Sequence, residues 1–302
     1  MINNTQPTLL VTGASGQLGR LVVQQLLERK VGKVIATTRN PDELKDFADR
    51  GVEVRKADFD VQAELVAAFS GADRLLLIST DAVGEPGKRY AQHKAAIDAA
   101  VKAGVNHIVY TSLAHPVADS PVLLAPDHIK SEEALQASGL GYTALRNNLY
   151  TDLLLMSLPA AIGMGQLFSA AGEGGAAYVT REDCARAAAA ALASDFSGKR
   201  QLEISGPDVV TYEALAEMAS DLSGRAVAHV PLEPDALKAG MIQSGVPEVF
   251  AELMVSFDEG MAQGLFAPAS DAVSDLTGKA PVPVRAFLES HRELLTSPPQ
   301  AS

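Results

Sequence analysis

The sequence predicts an α/β protein: a Rossmann-type, doubly wound parallel sheet with a smaller, mainly helical C-terminal lobe. Three observations lead there. Short apolar runs alternate with helix-patterned segments through the first half of the chain. The first run ends in "VTGASGQLG", residues 11–19, which places glycines at 13, 16 and 19 where a strand would turn into a helix. At 302 residues, the chain is long enough for one large core domain carrying a smaller lobe.

The elements follow in order. "TLLVTG" is the first strand, and it feeds the helix "QLGRLVVQQLLERK", in which Leu18, Leu21, Val22, Leu26 and Leu27 form one stripe. "KVIATTR" is the second strand. "VEVRKADF" alternates as a third strand before the helical "QAELVAAFSG", and "RLLLIST" is continuously apolar, as befits a strand buried on both faces. The long helix "KRYAQHKAAIDAAVKAG" stops at Gly104, "HIVYTSL" is strand five, and "GYTALRNN" is strand six after the helix "HIKSEEALQASG". Beyond Tyr150 the alternation loosens. "TREDCARAAAAALAS" reads as a helix opened by Thr180, with Asp183 at capping-box spacing, and "RQLEISGP" as a late strand. Short helices separated by turns dominate from Gly206 to Phe266. These boundaries divide the chain into a dinucleotide-binding domain, 1–150, with a returning segment 179–206. A substrate lobe takes 151–178 and 207–295, and a disordered tail takes 296–302.

Composition limits the function. Hydrophobic residues make up 47% of the chain with no Trp, so the core is aliphatic. A net charge of −12 and the lack of any Lys/Arg cluster argue against a nucleic-acid partner. One cysteine, Cys184, and six histidines without metal-ligand spacing predict neither disulfide nor metal site. No stretch has the length of a membrane span, and the N-terminus lacks a secretory leader, so a cytoplasmic protein with no membrane partner is expected. A homodimer is compatible with the sequence.

The glycine stretch specifies chemistry. Gly13 makes the tight turn, Gly16 lets backbone N–H groups approach a pyrophosphate, and Gly19 permits close helix packing, while the helix N-terminus stabilises the anion. Ser15, Gln17 and Leu18 complete the cofactor-binding loop. An acid at the end of strand two would bind the ribose hydroxyls of NAD; here the residues are Thr37, Thr38, Arg39 and Asn40, and Arg39 suits the 2′-phosphate of NADPH. Asp58 and Phe59 are placed to contact adenine. Ser79 and Thr80 after strand four and Ser112 in strand five are expected to face cofactor or substrate, because ligands of open α/β sheets lie beyond the strands' carboxyl ends.

The catalytic acid is unknown from sequence. Tyr90 and Lys94 have the Y-x-x-x-K spacing of short-chain dehydrogenases but precede strand five rather than follow it, so they read as helix surface. After strand five the chain offers only His128 and Lys130 as candidate proton donors, with no tyrosine at matching spacing.

The chain resembles the NmrA-like group of atypical short-chain dehydrogenases, and within it the bacterial NADPH:quinone oxidoreductase type; triphenylmethane dye reductases look similar. The matching stretches are "VTGASGQLG", "TTRNP", "GVEVRKADFD", "LLLIS", "AGVNHIVYTSL", "YTALRNNLYTD", "TREDCARAAAAAL" and "DLTGKAPVPVRAFL", which span nearly the whole chain. The resemblance implies reduction of a quinone by hydride from NADPH, without flavin or metal. It places Arg146, Asn147 and Asn148 near the nicotinamide, with Asn148 standing where some relatives carry glycine. It turns Tyr150, a further candidate acid, toward a substrate pocket that also includes Leu113 and Met156. The alternatives are a dinucleotide-binding redox sensor without turnover and a reductase of another conjugated acceptor such as a dye.

Overall fold

The computed structural model describes residues 6–296; the expected tail lies outside them except for Thr296. β1 (Thr8–Val11), α1 (Gln17–Arg29), β2 (Lys33–Thr38), α2 (Lys45–Ala48), β3 (Glu53–Lys56), α3 (Gln62–Phe69), β4 (Arg74–Leu77), α4 (Lys88–Ala103), β5 (His107–Leu113), α5 (Ala125–Ala137) and β6 (Gly141–Asn147) alternate. After α6 (Leu154–Met164), β7 (Gln166–Ser169) and β8 (Gly175–Ala176), the chain returns through α7 (Arg181–Ala193) and β9 (Lys199–Ile204). The remainder is β10 (Val210–Thr211), α8 (Tyr212–Ser223), β11 (Ala228–Pro231), α9 (Pro234–Gln243), α10 (Glu248–Ala262), α11 (Ala272–Thr277), α12 (Val284–Ser290) and α13 (Arg292–Thr296).

The main sheet has seven strands in the order β3-β2-β1-β4-β5-β6-β9, and every pairing in it is parallel. This is the doubly wound Rossmann architecture, with the chain reversing direction across the sheet between β1 and β4. Both faces are covered, which is why β4 and β5 are uniformly buried, and β1 from Leu9 on, and why they read as apolar runs.

One face carries α1 and α7 and the other α3, α4 and α5. The stripe on α1 is rotated from the expected one: Leu18, Gly19, Val22, Val23 and Leu26 are buried, while Leu21 and Leu27 sit at the margin. Polyalanine in α7 explains the shift. Ala185, Ala187, Ala188, Ala189 and Ala191 are all buried, and their small side chains let α7 press against α1, so α1 is covered on two sides.

Thr180 caps α7 by accepting from Asp183 N–H at 3.0 Å, as the spacing predicts. The reciprocal half of the box is replaced. The Asp183 carboxylate accepts from Val282 N–H at 2.8 Å and pairs with Arg186, which fastens the segment before α12 to the main domain. At the other end of α7, buried Arg74 at the start of β4 donates to the carbonyls of Leu192, Phe196 and Ala191 at 2.7, 2.9 and 3.2 Å, a cation at a helix C-terminus. The lobe has its own core, built from α6, α8, α10, α12 and α13, with Leu167, Val210 and Phe266. Among the described residues no helix is long and apolar enough to cross a membrane.

Candidate active site

Parallel strands put their carboxyl ends on one edge of the sheet, so the turns after β1, β2, β4, β5 and β6 gather there. The turn after β1 is shaped by backbone alone. Gly13 adopts φ +57, Gly16 N–H donates to Gly13 O at 3.0 Å, and Ala14 N–H donates to Thr37 O at 3.0 Å. A Cβ on Gly19 would stand 2.3 Å from Gly13 O, and one on Gly16 3.3 Å from the same atom. No side chain caps α1 and its first turn carries no acid, so the leading N–H groups remain directed at the space beyond the turn.

At the end of β2, Thr38 Oγ1 lies 3.0 Å from Ser15 Oγ and accepts from Asn40 N–H at 3.2 Å. Asn40 turns its own oxygen to Asp42 N–H. Arg39 is left exposed, and among the described residues its guanidinium has no partner. Asp58 accepts from Asp60 N–H at 3.0 Å in the turn after β3, and half-buried Phe59 packs against the α3–α4 side of the core.

The segment after β4 is held by side chains. Ile78 N–H donates to Thr12 Oγ1 at 3.0 Å, Ser79 N–H to Thr111 Oγ1 at 2.8 Å, and Thr80 N–H to His93 Nε2 at 3.0 Å. Three consecutive peptides are thus fixed by side chains from the turn after β1, from β5 and from α4. Thr80 Oγ1 is buried and, like Asn147 Oδ1 at the end of β6, has no partner. Buried polar atoms without partners are rare and call for a ligand or water.

Three of the expected cofactor residues have polar groups engaged within the chain. Arg146 and Asn147 are neighbours in β6 and therefore point to opposite faces. Arg146 grips Glu132 of α5 with two bonds of 3.0 and 2.7 Å and reaches Glu203 of β9 at 3.2 Å. The Glu132 hydrogen bond is the main reason its guanidinium is held even more firmly protonated. Ser112, paired with Arg146 in the β5–β6 register, donates its hydroxyl to the same Glu132 at 2.7 Å. The polar ends of Ser112 and Arg146 are thus occupied within the chain. Asn148 is likewise consumed: its Nδ2 donates to Phe266 O at 2.9 Å and its Oδ1 accepts from Leu149 N–H at 2.8 Å, joining β6 to the lobe.

The candidate acids fare no better. His128 is buried, with Nδ1 2.8 Å from Tyr110 Oη and Nε2 3.3 Å from the Arg89 guanidinium. Burial first, then the Arg89 charge, pushes it well below the usual imidazole range, so it is neutral. Lys130 is exposed, its Nζ 5.9 Å from the Tyr90 ring centre, and Lys94 pairs with Asp98 on the α4 surface. Tyr150 is held between Arg181, 5.0 Å above its ring, and Asn147, whose Nδ2 donates to Tyr150 Oη at 3.2 Å. Burial raises the phenol pKa, so it keeps its proton. Leu113 is buried against the lobe core, whereas Met156 is 79% exposed on α6. Among the described residues no group of three His, Cys, Asp or Glu could hold a metal.

Sequence reasoning overlooked Thr12, Thr111, Arg89 and His93. One signal existed for His93, which falls in the α4 stripe with Ala96, Ile97 and Ala100 at helical spacing. A polar ring on an apolar face requires a buried partner.

Known proteins of this architecture can now be compared. The NAD(P)H-binding family model matches residues 13–195. Quinone oxidoreductase 2 of Escherichia coli strain K12 is 37% identical over 272 residues, which cover 89% of this chain and 93% of that protein. The crystal structure of an NADPH-dependent quinone oxidoreductase from Escherichia coli complexed with NADPH superposes with a TM-score of 0.88 at 36% identity, covering 94% of this chain and 99% of that one. Triphenylmethane reductase of Citrobacter sp., complexed with NADP(H), gives 0.87 at 35% identity, covering 93% and 99%.

Proposed function

The chain belongs to the NAD(P)H-binding family, and on that premise we propose that it is an NADPH-dependent oxidoreductase whose acceptor is a quinone. The observation that carries this reading is a mismatch. The glycine turn suits a dinucleotide, while the candidate proton donors are poor ones: His128 is neutral and bonded within the chain, Lys130 is exposed, and burial makes the Tyr150 phenol a weaker acid than usual. A quinone suits such a site, because hydride addition yields an aromatic hydroquinone anion that needs no dedicated acid. General acid catalysis supplies about 10²–10⁴-fold for acceptors that require it.

The residues fit NADPH. A Cβ is excluded at Gly19 and tight at Gly16, Gly13 holds a positive φ, and the α1 N-terminus is uncapped, an arrangement suited to a pyrophosphate. Arg39 supplies a free planar fork for a 2′-phosphate. Thr80 and Asn147 each carry a buried oxygen without a partner at the β4 and β6 ends. When bound, NADPH supplies the hydride. The protein's own task is to align two planar rings and exclude water, which provides much of the rate when the acceptor is already electrophilic. An apolar wall for the acceptor is available on α10, where Val249, Phe250 and Met254 are 43%, 50% and 47% exposed. The loop after β4 reaches this helix: a Cβ on Gly84 would lie 3.2 Å from Val249 Cγ1. The lone Cys184, buried and unpaired, accords with action in the cytoplasm.

Purified protein mixed with NADPH and 1,4-benzoquinone should consume NADPH absorbance in proportion to enzyme. Tight NADPH binding without oxidation across a panel of quinones defeats the proposal and favours a sensor. Likeness to triphenylmethane reductase supports a second acceptor class, and turnover confined to triarylmethane dyes selects it.

A further inference from the structure

A buried polar network joins α4, α5 and β5 beneath the segment that follows β4. His93, Tyr110 and Ser131 are fully buried, and His128 and Arg89 nearly so. Its hydrogen bonds fix the protonation of both imidazoles. His93 Nε2 accepts from Thr80 N–H and His128 Nε2 accepts from the Arg89 guanidinium, neither of which can accept in return. Each ring is therefore the neutral Nδ1–H form. His93 directs that hydrogen to Ser131 Oγ at 2.9 Å and His128 to Tyr110 Oη at 2.8 Å, while Ser131 donates onward to Asp127 O at 2.6 Å. Burial and the nearby Arg89 charge lower the His93 pKa to about 3, so the acceptor lone pair persists at neutral pH.

The network holds the backbone of one residue at both of its peptide groups. His93 takes the Thr80 N–H, and Arg89 donates to the Thr80 carbonyl. Both atoms belong to a residue whose hydroxyl is buried and unpartnered. The sheet order specifies what lies over it. β2 and Arg39 stand on one side of the β1 turn, and β4 on the other. A dinucleotide with its pyrophosphate at the β1 turn and its 2′-phosphate at Arg39 must extend its nicotinamide half over β4. We propose that His93 and Arg89 are positioning residues that clamp the Thr80 backbone and present its hydroxyl to the nicotinamide half of bound NADPH. This rests on the NADPH reading but not on the identity of the acceptor.

The test is NADPH titration by fluorescence together with thermal denaturation, which requires no turnover. His93→Leu should weaken NADPH binding about tenfold, one good hydrogen bond's worth. His93→Gln, which offers an acceptor and a donor, should recover most of that. Arg74→Leu, which removes a cap at the opposite edge of the sheet, should lower Tm while leaving NADPH affinity unchanged. Thr80→Val, which needs no change beneath the loop, should weaken binding to a similar degree, and adding His93→Leu to it should cost little more. The proposal is overturned if His93→Leu binds NADPH like the parent, or if its loss is undiminished in the Thr80→Val background. It is also overturned if affinity simply follows Tm across the set, Arg74→Leu included. Should His93→Leu not fold, the Thr80→Val and His93→Gln arms decide. Parent-like binding by Thr80→Val, or a large loss in folded His93→Gln, rejects the clamp. If the parent binds NADPH but reduces no quinone, the acceptor assignment fails while the clamp remains testable.

Discussion

Arg146 and Glu132 form a two-bond ion pair, 3.0 and 2.7 Å, between the end of β6 and the middle of α5. Their side chains are 25% and 10% exposed, so the pair is partly screened. Arg146→Met strands the Glu132 charge against Ser112, and a loss of about 2–4 kcal/mol is expected in chemical denaturation. NADPH affinity should stay within about threefold of the parent, since a single weak contact is worth no more than that. A collapse of affinity at unchanged stability would return Arg146 to the cofactor.

Arg39 is the proposed reader of the cofactor's 2′-phosphate. Arg39→Asp should weaken NADPH binding about 10–100-fold, the worth of a charge-assisted hydrogen bond plus the new repulsion, and change NADH binding only a few-fold. Parallel titrations with both nucleotides measure the ratio; equal losses would show that the 2′-phosphate is read elsewhere.

Gly19→Ala places a methyl 2.3 Å from Gly13 O, an atom of backbone that cannot rotate away. The turn must shift, costing about 1–3 kcal/mol in stability, as overpacking does. The turn is also the proposed pyrophosphate cradle, so NADPH affinity should fall with it. Gly224→Ala provides a reference: it meets no atom within 4 Å, and only its positive φ opposes the change.

Acid stability should follow buried imidazoles. His93 and His107 have pKa values lowered to about 3, chiefly by burial, against 6.5 ordinarily. Between those values the unfolded chain binds protons that the folded chain refuses, so stability is complete above pH 6.5 and falls as pH drops toward 3. Each such histidine adds a slope of up to about 1.4 kcal/mol per pH unit. Urea midpoints at several pH values should show the slope reduced by about one proton in His107→Gln; an unchanged slope places the acid sensitivity elsewhere.

Much of this was legible in the chain because it depends on residues close in sequence. The alternation of runs, the glycine turn at 13, 16 and 19, the Thr180 cap and the basic residue ending β2 all arise from spacings of a few positions. Backbone geometry converts such spacings into structure without help from distant segments. The α1 stripe was displaced because α7, far along the chain, covers a second side of it.

The sequence by itself determined a parallel Rossmann-type sheet of an NAD(P)H-binding family and the glycine turn that follows its first strand. Tertiary structure alone decided which polar residues remain free. Arg146 finds Glu132 and Glu203, Asn148 finds Phe266, and His128 finds Tyr110 and Arg89, all through pairings between elements. The physical reason is that a buried polar group must be satisfied by whatever the fold brings within about 3 Å. At the strand ends Thr80 Oγ1 and Asn147 Oδ1 are buried oxygens that the fold leaves without a partner.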